Sequence, residues 1–138
     1  RFHPGGSLGK RLYTRVSDVY DGTNRPCITR EAGIRPVILA MSKGRLGAVA
    51  IVDGEERLEG IITDGDLRRM MEKYDDVDGL TAKDVMSKSP KTILEDELAY
   101  NAYRMMEQNS ITQLVGVDKD RHYKGMVHIH DILREGVV

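Results

Sequence analysis

Hydrophobic and polar positions fall into helix-like and strand-like patterns that recur in the same order in both halves of the chain. In the first half, one helical face is marked by apolar residues at the spacing i, i+3, i+4, i+7: Ile34, Val37, Ile38 and Met41. Pro36 is compatible only with the first turn of that helix. We therefore predict that the helix begins near Arg35.

A continuous apolar run rich in β-branched residues follows at 46–52 and predicts a buried strand. Asp53 and Gly54 then predict a turn, residues 58–62 a second strand, and residues 64–74 a second helix. The second half predicts the same order, with helix-facing residues Leu98, Ala102, Met105 and Met106, strands at 112–117 and 123–127, and a last helix from about His130. A short extended segment precedes each unit, at 27–29 and 92–94.

The second half repeats the residues as well as the pattern. Segment 60–67 (GIITDGDL) returns as 125–132 (GMVHIHDI), at an offset of 65 residues. A repeat of this length that occurs twice is a small domain rather than a solenoid unit. One unit has too little sheet to be stable alone. We therefore predict an α/β protein in which two sheets pack face to face, with clefts where the halves meet.

Composition narrows the partners. The 21 basic and 22 acidic residues leave a formal net charge of −1, which argues against a nucleic-acid or membrane partner. The longest apolar run is too short to span a bilayer, and we find no signal-peptide pattern. The single cysteine, Cys27, excludes an internal disulfide and fits a reducing compartment. We expect a cytoplasmic protein.

The segment 63–66 (TDGD) lies where a strand ends and a helix begins, and it allows two interpretations. Thr63 at the N-cap and Asp66 three residues on form a capping box. The same helix entry could hold a phosphate, while Asp66 accepts hydrogen bonds from ribose hydroxyls. The second copy keeps Asp131 but replaces the threonine by His128, which favours the ligand interpretation because the cap chemistry itself is not repeated.

The residues Asp84-Val85-Met86, the pair Ser89-Pro90 and the ending Gly-x-x-Thr-x-x-Asp resemble tandem cystathionine-β-synthase (CBS) domains over residues 16–135. The resemblance implies a regulatory pair of helix-strand-strand-helix repeats, at 16–76 and 77–138, related by pseudo-twofold symmetry. It also implies a nucleotide-type ligand in two clefts. One cleft would use Thr63, Asp66, Thr92 and Ile93. The other would use Asp131, His128, Ile28 and Thr29.

A narrower resemblance lies near the N-terminus. Residues 2–12 (FHPGGSLGKRL) and 15–18 (RVSD) look like the junction in D-arabinose 5-phosphate isomerases where a sugar-isomerase (SIS) domain meets a CBS pair. The resemblance implies that residues 1–15 are the tail end of an SIS domain and a linker, and that His3 matches an active-site histidine of the parent enzyme. It also implies that this enzyme interconverts ribulose 5-phosphate and arabinose 5-phosphate for Kdo biosynthesis. An adenine or cytidine nucleotide, or a nucleotide sugar, would be the regulatory ligand.

Two other functions remain open. The pair could be a structural module that holds the parent oligomer together without a ligand, or a metal-dependent hydrolase centred on His128 and His130. We expect no metal site, because Asp131 would face away from both histidines on a continued strand. Apolar residues in the helices at 67–71 and 132–138 predict a homodimer. The basic residues at 68–69 and 88–91 are expected to be mostly solvated, and one of them could meet a ligand phosphate at the rim of a cleft.

Overall fold

The computed structural model describes residues 6–20 and 25–138, which form seven helices and six strands. The elements of the first half are α1 Gly6–Tyr13, α2 Val16–Val19, β1 Cys27–Ile28, α3 Ile34–Gly44, β2 Ala48–Val52, β3 Leu58–Thr63 and α4 Asp64–Lys73. Those of the second half are α5 Ala82–Val85, β4 Thr92–Leu94, α6 Ala99–Asn109, β5 Gln113–Val117, β6 Tyr123–His128 and α7 Ile129–Glu135.

Each repeat contributes one three-stranded sheet, in the order β1-β2-β3 or β4-β5-β6. The edge strands β1 and β4 run parallel to their neighbours, and the hairpins β2-β3 and β5-β6 are antiparallel. The registers are equivalent, since Ile51 pairs with Gly60 in the first hairpin and Gly116 with Gly125 in the second. The two sheets therefore superimpose strand by strand, as the repeat predicts.

Three apolar clusters make a four-layered body of helices, sheet, sheet and helices. A central cluster joins the facing sides of the two sheets, with Ala48, Ala50, Val115, Tyr123 and Met126 among its members. Behind the first sheet, α3 packs through Val37 and Met41. Behind the second sheet, α6 packs through Ala102 and Met106. This is the face-to-face arrangement predicted from the sequence.

The segments that open the two repeats are exchanged. Val16 of α2 lies in the core of the second repeat, where its backbone N–H donates to the carbonyl of Glu97 at 2.8 Å. Ala82 of α5 lies in the core of the first repeat, and its N–H donates to the carbonyl of Ala32 at 2.8 Å. Each repeat is thus completed by a helix that the chain places before the other one.

The sequence-based elements are confirmed with small changes in their ends, but three helices were not predicted. Residues 6–13 form α1, and Lys10 fixes this helix by donating to the carbonyl of Glu135 at 2.6 Å. Helices α2 and α5 are one turn each. Among the described residues, no helix is both long enough and apolar enough to cross a bilayer. His3 lies outside the described residues.

Candidate functional site

The first candidate site is built on the junction between β3 and α4. Thr63 is the N-cap residue, and its Oγ1 accepts a hydrogen bond from the N–H of Asp66 at 3.2 Å. Asp66 Oδ2 accepts in return from the N–H of Thr63 at 2.9 Å and from its hydroxyl at 3.1 Å. The capping box predicted from the sequence is therefore present in full.

The other oxygen of Asp66 is occupied too. Oδ1 accepts from the guanidinium of Arg69 at 2.8 Å and from the hydroxyl of Ser87 at 3.1 Å. A carboxylate has about four acceptor positions, and all four of Asp66 are used within the chain. Asp66 is only 7% exposed. Arg69 is thus paired with Asp66, while its side chain stays 62% exposed.

Ser87 reaches Asp66 because its backbone is held beside β3. Its N–H donates to the carbonyl of Ile61 at 2.8 Å, and its carbonyl accepts from the N–H of Ile61 at 3.0 Å. The preceding Met86 lies against Gly60, where a Cβ would come within 2.7 Å of the Ser87 carbonyl oxygen. The glycine of the motif is therefore required for this close approach.

The second candidate site, at the junction between β6 and α7, has the same layout with different groups. Asp131 Oδ2 accepts from the N–H of His128 at 3.1 Å, and Oδ1 pairs with Arg134 at 3.3 Å. His128 Nδ1 lies 3.1 Å from the N–H of His130 and accepts from it, which requires the tautomer with its proton on Nε2. Burial and the adjacent His130 lower the pKa of His128 below its ordinary value.

The cap at the second helix entry is kept, contrary to the expectation from the sequence. Replacement of threonine by histidine does not remove the cap, because His128 Nδ1 does the work of a cap acceptor. The carboxylate half of the cap occurs at four helix starts, where Asp18, Asp66, Asp84 and Asp131 each accept from the N–H three residues before. Recurrence of the motif is therefore explained by capping alone, and it does not favour a ligand.

The edge strands supply fewer cleft residues than the sequence indicated. Ile93 is buried in the core behind the second sheet, and Ile28 packs against the core behind the first. Their neighbours in the strands, Thr92 and Cys27, pair with Val115 and Ala50 of the central cluster. The strand alternation therefore turns Thr92 and Cys27 toward the facing sheet, and the two isoleucines toward the helices.

Thr29 lies at the opposite end of its strand from the helix entries. It lines a cavity of ≈ 330 Å³ together with Arg30, Val52, Asp53 and Glu59. The counterpart in the second repeat is a cavity of ≈ 310 Å³ next to Leu94 and Asp118. We find no direct contact of Thr29 with His128 or Asp131 in the described part of the chain.

Tyr20 of the exchanged N-terminal segment is a residue that the sequence did not single out. Its ring fills the space above Gly116 and Gly125, where added Cβ atoms would lie 3.1 and 2.8 Å from it. Its hydroxyl donates to Glu95 Oε1 at 2.5 Å. Burial is the main cause that raises the pKa of the Tyr20 phenol, and the hydrogen bond to Glu95 raises it further. Tyr20 occupies the place that Met86 has in the first repeat.

One group has the composition of a metal site. Asp118, Asp120 and His122 bring ligand atoms within 4.8 Å of one another in the β5-β6 turn. Asp118 Oδ1 accepts there from the N–H groups of Asp120 and His122, both at 2.9 Å. Asp53 closes the β2-β3 turn in the same way, so the group is accounted for by turn geometry. His128 and His130, on which the sequence centred the hydrolase alternative, stack with their ring centroids 4.7 Å apart.

Comparison with known proteins agrees with the fold. The family model described as CBS domain matches residues 16–73 and 82–137. The chain is 39% identical over 137 residues to arabinose 5-phosphate isomerase KdsD of Yersinia pestis, and 41% identical over 131 residues to KpsF of Escherichia coli. These alignments cover 99% and 95% of the chain, but only 42% and 40% of the two relatives.

Solved structures with the same fold include two in complex with adenosine-containing ligands. The CBS domain pair of protein MJ0100, in complex with 5′-methylthioadenosine and S-adenosyl-L-methionine, matches with a TM-score of 0.78 at 24% identity, covering 89% of this chain and 95% of that one. Protein PAE2072 of Pyrobaculum aerophilum, complexed with AMP, gives 0.74 at 24%, covering 86% and 89%. With the matching family model and the exchanged two-sheet fold, the chain belongs to the CBS-domain family and carries two copies of the domain.

Proposed function

We propose that this CBS pair is a nucleotide-sensing module. The observation that carries the proposal is the acceptor capacity left on Asp131 at the second helix entry, where, within the described residues, only His128 and Arg134 donate to this carboxylate. Two proteins of the same fold are described in complex with adenine-containing ligands. An adenine nucleotide is therefore the first ligand to test, and a cytidine nucleotide or nucleotide sugar the second.

The second entry is the better binding site of the two. Asp131 is half-buried, and within the described residues its hydrogen bonds come from His128 and Arg134 alone. It therefore keeps acceptor capacity for a ribose hydroxyl. The Nε2–H of His128 can donate to a phosphate in place of the family's hydroxyl. Cys27 and Thr92, which face the opposite sheet, are better placed than Ile28 and Ile93 to contact a base.

The parent protein is proposed to be an arabinose 5-phosphate isomerase. The support is the identity of 39–41% to such enzymes, of which the chain spans about two fifths. In that protein the pair would report ligand occupancy to an SIS domain, and His3 would belong to the isomerase active site. The chain alone is expected to have no isomerase activity.

The sensing proposal is tested by calorimetric titration of the chain with AMP and with CMP. Asp131→Asn should weaken AMP binding by roughly tenfold, because it removes a charge-assisted hydrogen bond. Asp18→Asn is the matched control, since Asp18 has the same place in the cap of α2 but is itself exposed. Absence of measurable binding of either nucleotide, or equal affinity in Asp131→Asn and wild type, contradicts the proposal.

The structural alternative is favoured by one observation, the full internal use of Asp66. In that case the pair would act as an assembly module, and Met71 and Leu133, which are 64% and 46% exposed, would lie in the contact between copies. We propose a twofold symmetric homodimer for either function. Sedimentation of wild type and of Met71→Lys distinguishes monomer from dimer, and the variant should shift toward the monomer. A monomer mass of the wild type at all concentrations excludes the dimer.

A further inference from the structure

The two carboxylates of the repeated motif differ in what a ligand would have to displace. Asp66 already accepts four hydrogen bonds, two on each oxygen. Its Oδ2 is tied into the helix cap with Thr63, which is part of the fold. Its Oδ1, in contrast, is held by the side chains of Arg69 and Ser87, and both of these residues are exposed.

We infer that Ser87 and Arg69 act as internal competitors at the site around Thr63 and Asp66, called the first cleft below. They hold the acceptor positions of Asp66 that ribose hydroxyls would use. The inference rests on the proposed nucleotide-sensing function and adds how its first site is regulated. Binding there is then an exchange of donors. A ligand gains only the difference between its own hydrogen bonds and those it displaces.

Ser87 can be displaced without unfolding its surroundings. Both of its backbone hydrogen bonds are to Ile61 and do not involve the hydroxyl. Rotation about χ1 is therefore enough to take Oγ away from Asp66, and the freed hydroxyl can bond to water because the residue is exposed. Arg69 can leave in the same way, since it extends from the exposed side of α4.

The exchange sets the chemistry of the ligand. A vicinal diol brings two donors and can replace both Ser87 and Arg69, whereas a single hydroxyl replaces one and leaves the other. The first cleft should therefore select for ribonucleotides over 2′-deoxyribonucleotides, and its affinity should rise when a competitor is deleted. Ser87 is the clean choice for deletion, because removal of Arg69 also changes the charge that an anionic ligand meets.

The test is a site-resolved titration of the chain with AMP and with 2′-deoxy-AMP by ¹H–¹⁵N NMR. The amides of Gly65 and Asp66 report the first cleft, and those of His130 and Asp131 report the second. Ser87→Ala should raise the affinity for AMP at the first cleft about three- to tenfold, and should leave the second cleft unchanged. Ser87→Thr, which keeps the hydroxyl, should return to the wild-type value. Ser42→Ala is the control, because Ser42 is also an exposed serine but lies on α3, and this variant should leave both affinities unchanged.

Each other outcome overturns the inference in a distinguishable way. If AMP binds at the second cleft while Ser87→Ala leaves the first cleft unchanged or weaker, the competitor role is wrong and the sensing function stands. If AMP shifts neither set of amides in wild type or Ser87→Ala, the sensing function fails and the inference with it. Equal gains for AMP and 2′-deoxy-AMP would show that the 2′-hydroxyl does not reach Asp66.

Discussion

The two copies of the motif keep the same carboxylate and use it differently. Asp66 is almost fully buried and is surrounded by donors from its cap, from α4 and from the exchanged segment. Asp131 is half-buried and, among the described residues, has one backbone donor and one longer contact to Arg134. A motif therefore fixes where an acidic side chain stands, while its neighbours decide whether it is available to a ligand.

The neighbours that differ most come from the exchanged segments. Met86 lies over the pair Ile51 and Gly60 in the first repeat, whereas Tyr20 lies over the pair of glycines at 116 and 125 in the second. A larger exchanged side chain is matched by a smaller strand residue. The exchanged side chain and the strand residues beneath it therefore differ together between the repeats.

The largest expected effect tests this packing. Gly60→Ala should reduce the free energy of unfolding by about 3 kcal/mol, because its Cβ would meet the backbone carbonyl of Ser87, which cannot rotate away. Gly125→Ala meets only the side chain of Tyr20 and should cost about 1–2 kcal/mol. Urea unfolding of both variants measures the difference. A larger loss in Gly125→Ala would show that the second repeat is the more tightly packed one.

The next effect compares the two carboxylates. Asp66→Asn should cost about 2 kcal/mol, because an amide cannot accept on both sides from the donors that surround this side chain. Asp131→Asn should cost about 0.5–1 kcal/mol, as for a partly exposed cap. The measurement is again urea unfolding of the ligand-free chain. Equal losses would mean that the hydrogen bonds from Ser87 and Arg69 to Asp66 contribute nothing to the free energy of unfolding.

A smaller effect concerns the tie of the exchanged N-terminal segment. Tyr20→Phe keeps the ring over the two glycines and removes the hydrogen bond to Glu95, so it should cost about 1 kcal/mol. Tyr103→Phe is the control, since that hydroxyl also bonds to a glutamate, Glu107, but one turn away on the same helix. Thermal unfolding measures the difference. Equal melting temperatures of the two variants would show that the hydrogen bond of Tyr20 stabilises the fold no more than that of Tyr103.

The smallest effect is a pH dependence confined to the second entry. Burial and His130 lower the pKa of His128 in the folded state, so the unfolded chain binds more protons below the ordinary pKa of about 6.5. Stability should therefore fall as the pH drops below that value, and be unaffected above it. His128→Asn keeps a cap acceptor and should reduce the loss between pH 8 and pH 5, by under ~0.5 kcal/mol because the ring is half-exposed. An unchanged slope in this variant would contradict the shift.

The sequence was sufficient for the elements that are long and periodic. The start of α3 and the two hairpins were predicted within one or two residues, and α6 was predicted from its apolar face, because apolar spacing is a local property. Helices α2 and α5 were not, since a single turn is stable only through Val16 and Ala82, which pack against the opposite repeat. Sequence reasoning from one segment cannot detect a contact with another.

The site was predictable to the same degree. The cap of Thr63 and Asp66 follows from their spacing, and Arg69 could have been paired with Asp66 from the i, i+3 rule. Ser87 could not, because it lies 21 residues from Asp66 and is brought there by the bridge to Ile61. The faces of Ile28 and Ile93 were also out of reach, since a strand of two or three residues is too short for alternation to fix its phase.

The exchange of α2 and α5 also limits how the chain can be divided. A break in the connection at 75–79 would yield two pieces of which each keeps its sheet but loses the helix that completes its core. Neither piece would be an autonomous folding unit, although each contains one whole sequence repeat. Folding must therefore wait for contacts such as Val16 with Glu97, which span most of the chain, and the two repeats should unfold together in a single transition.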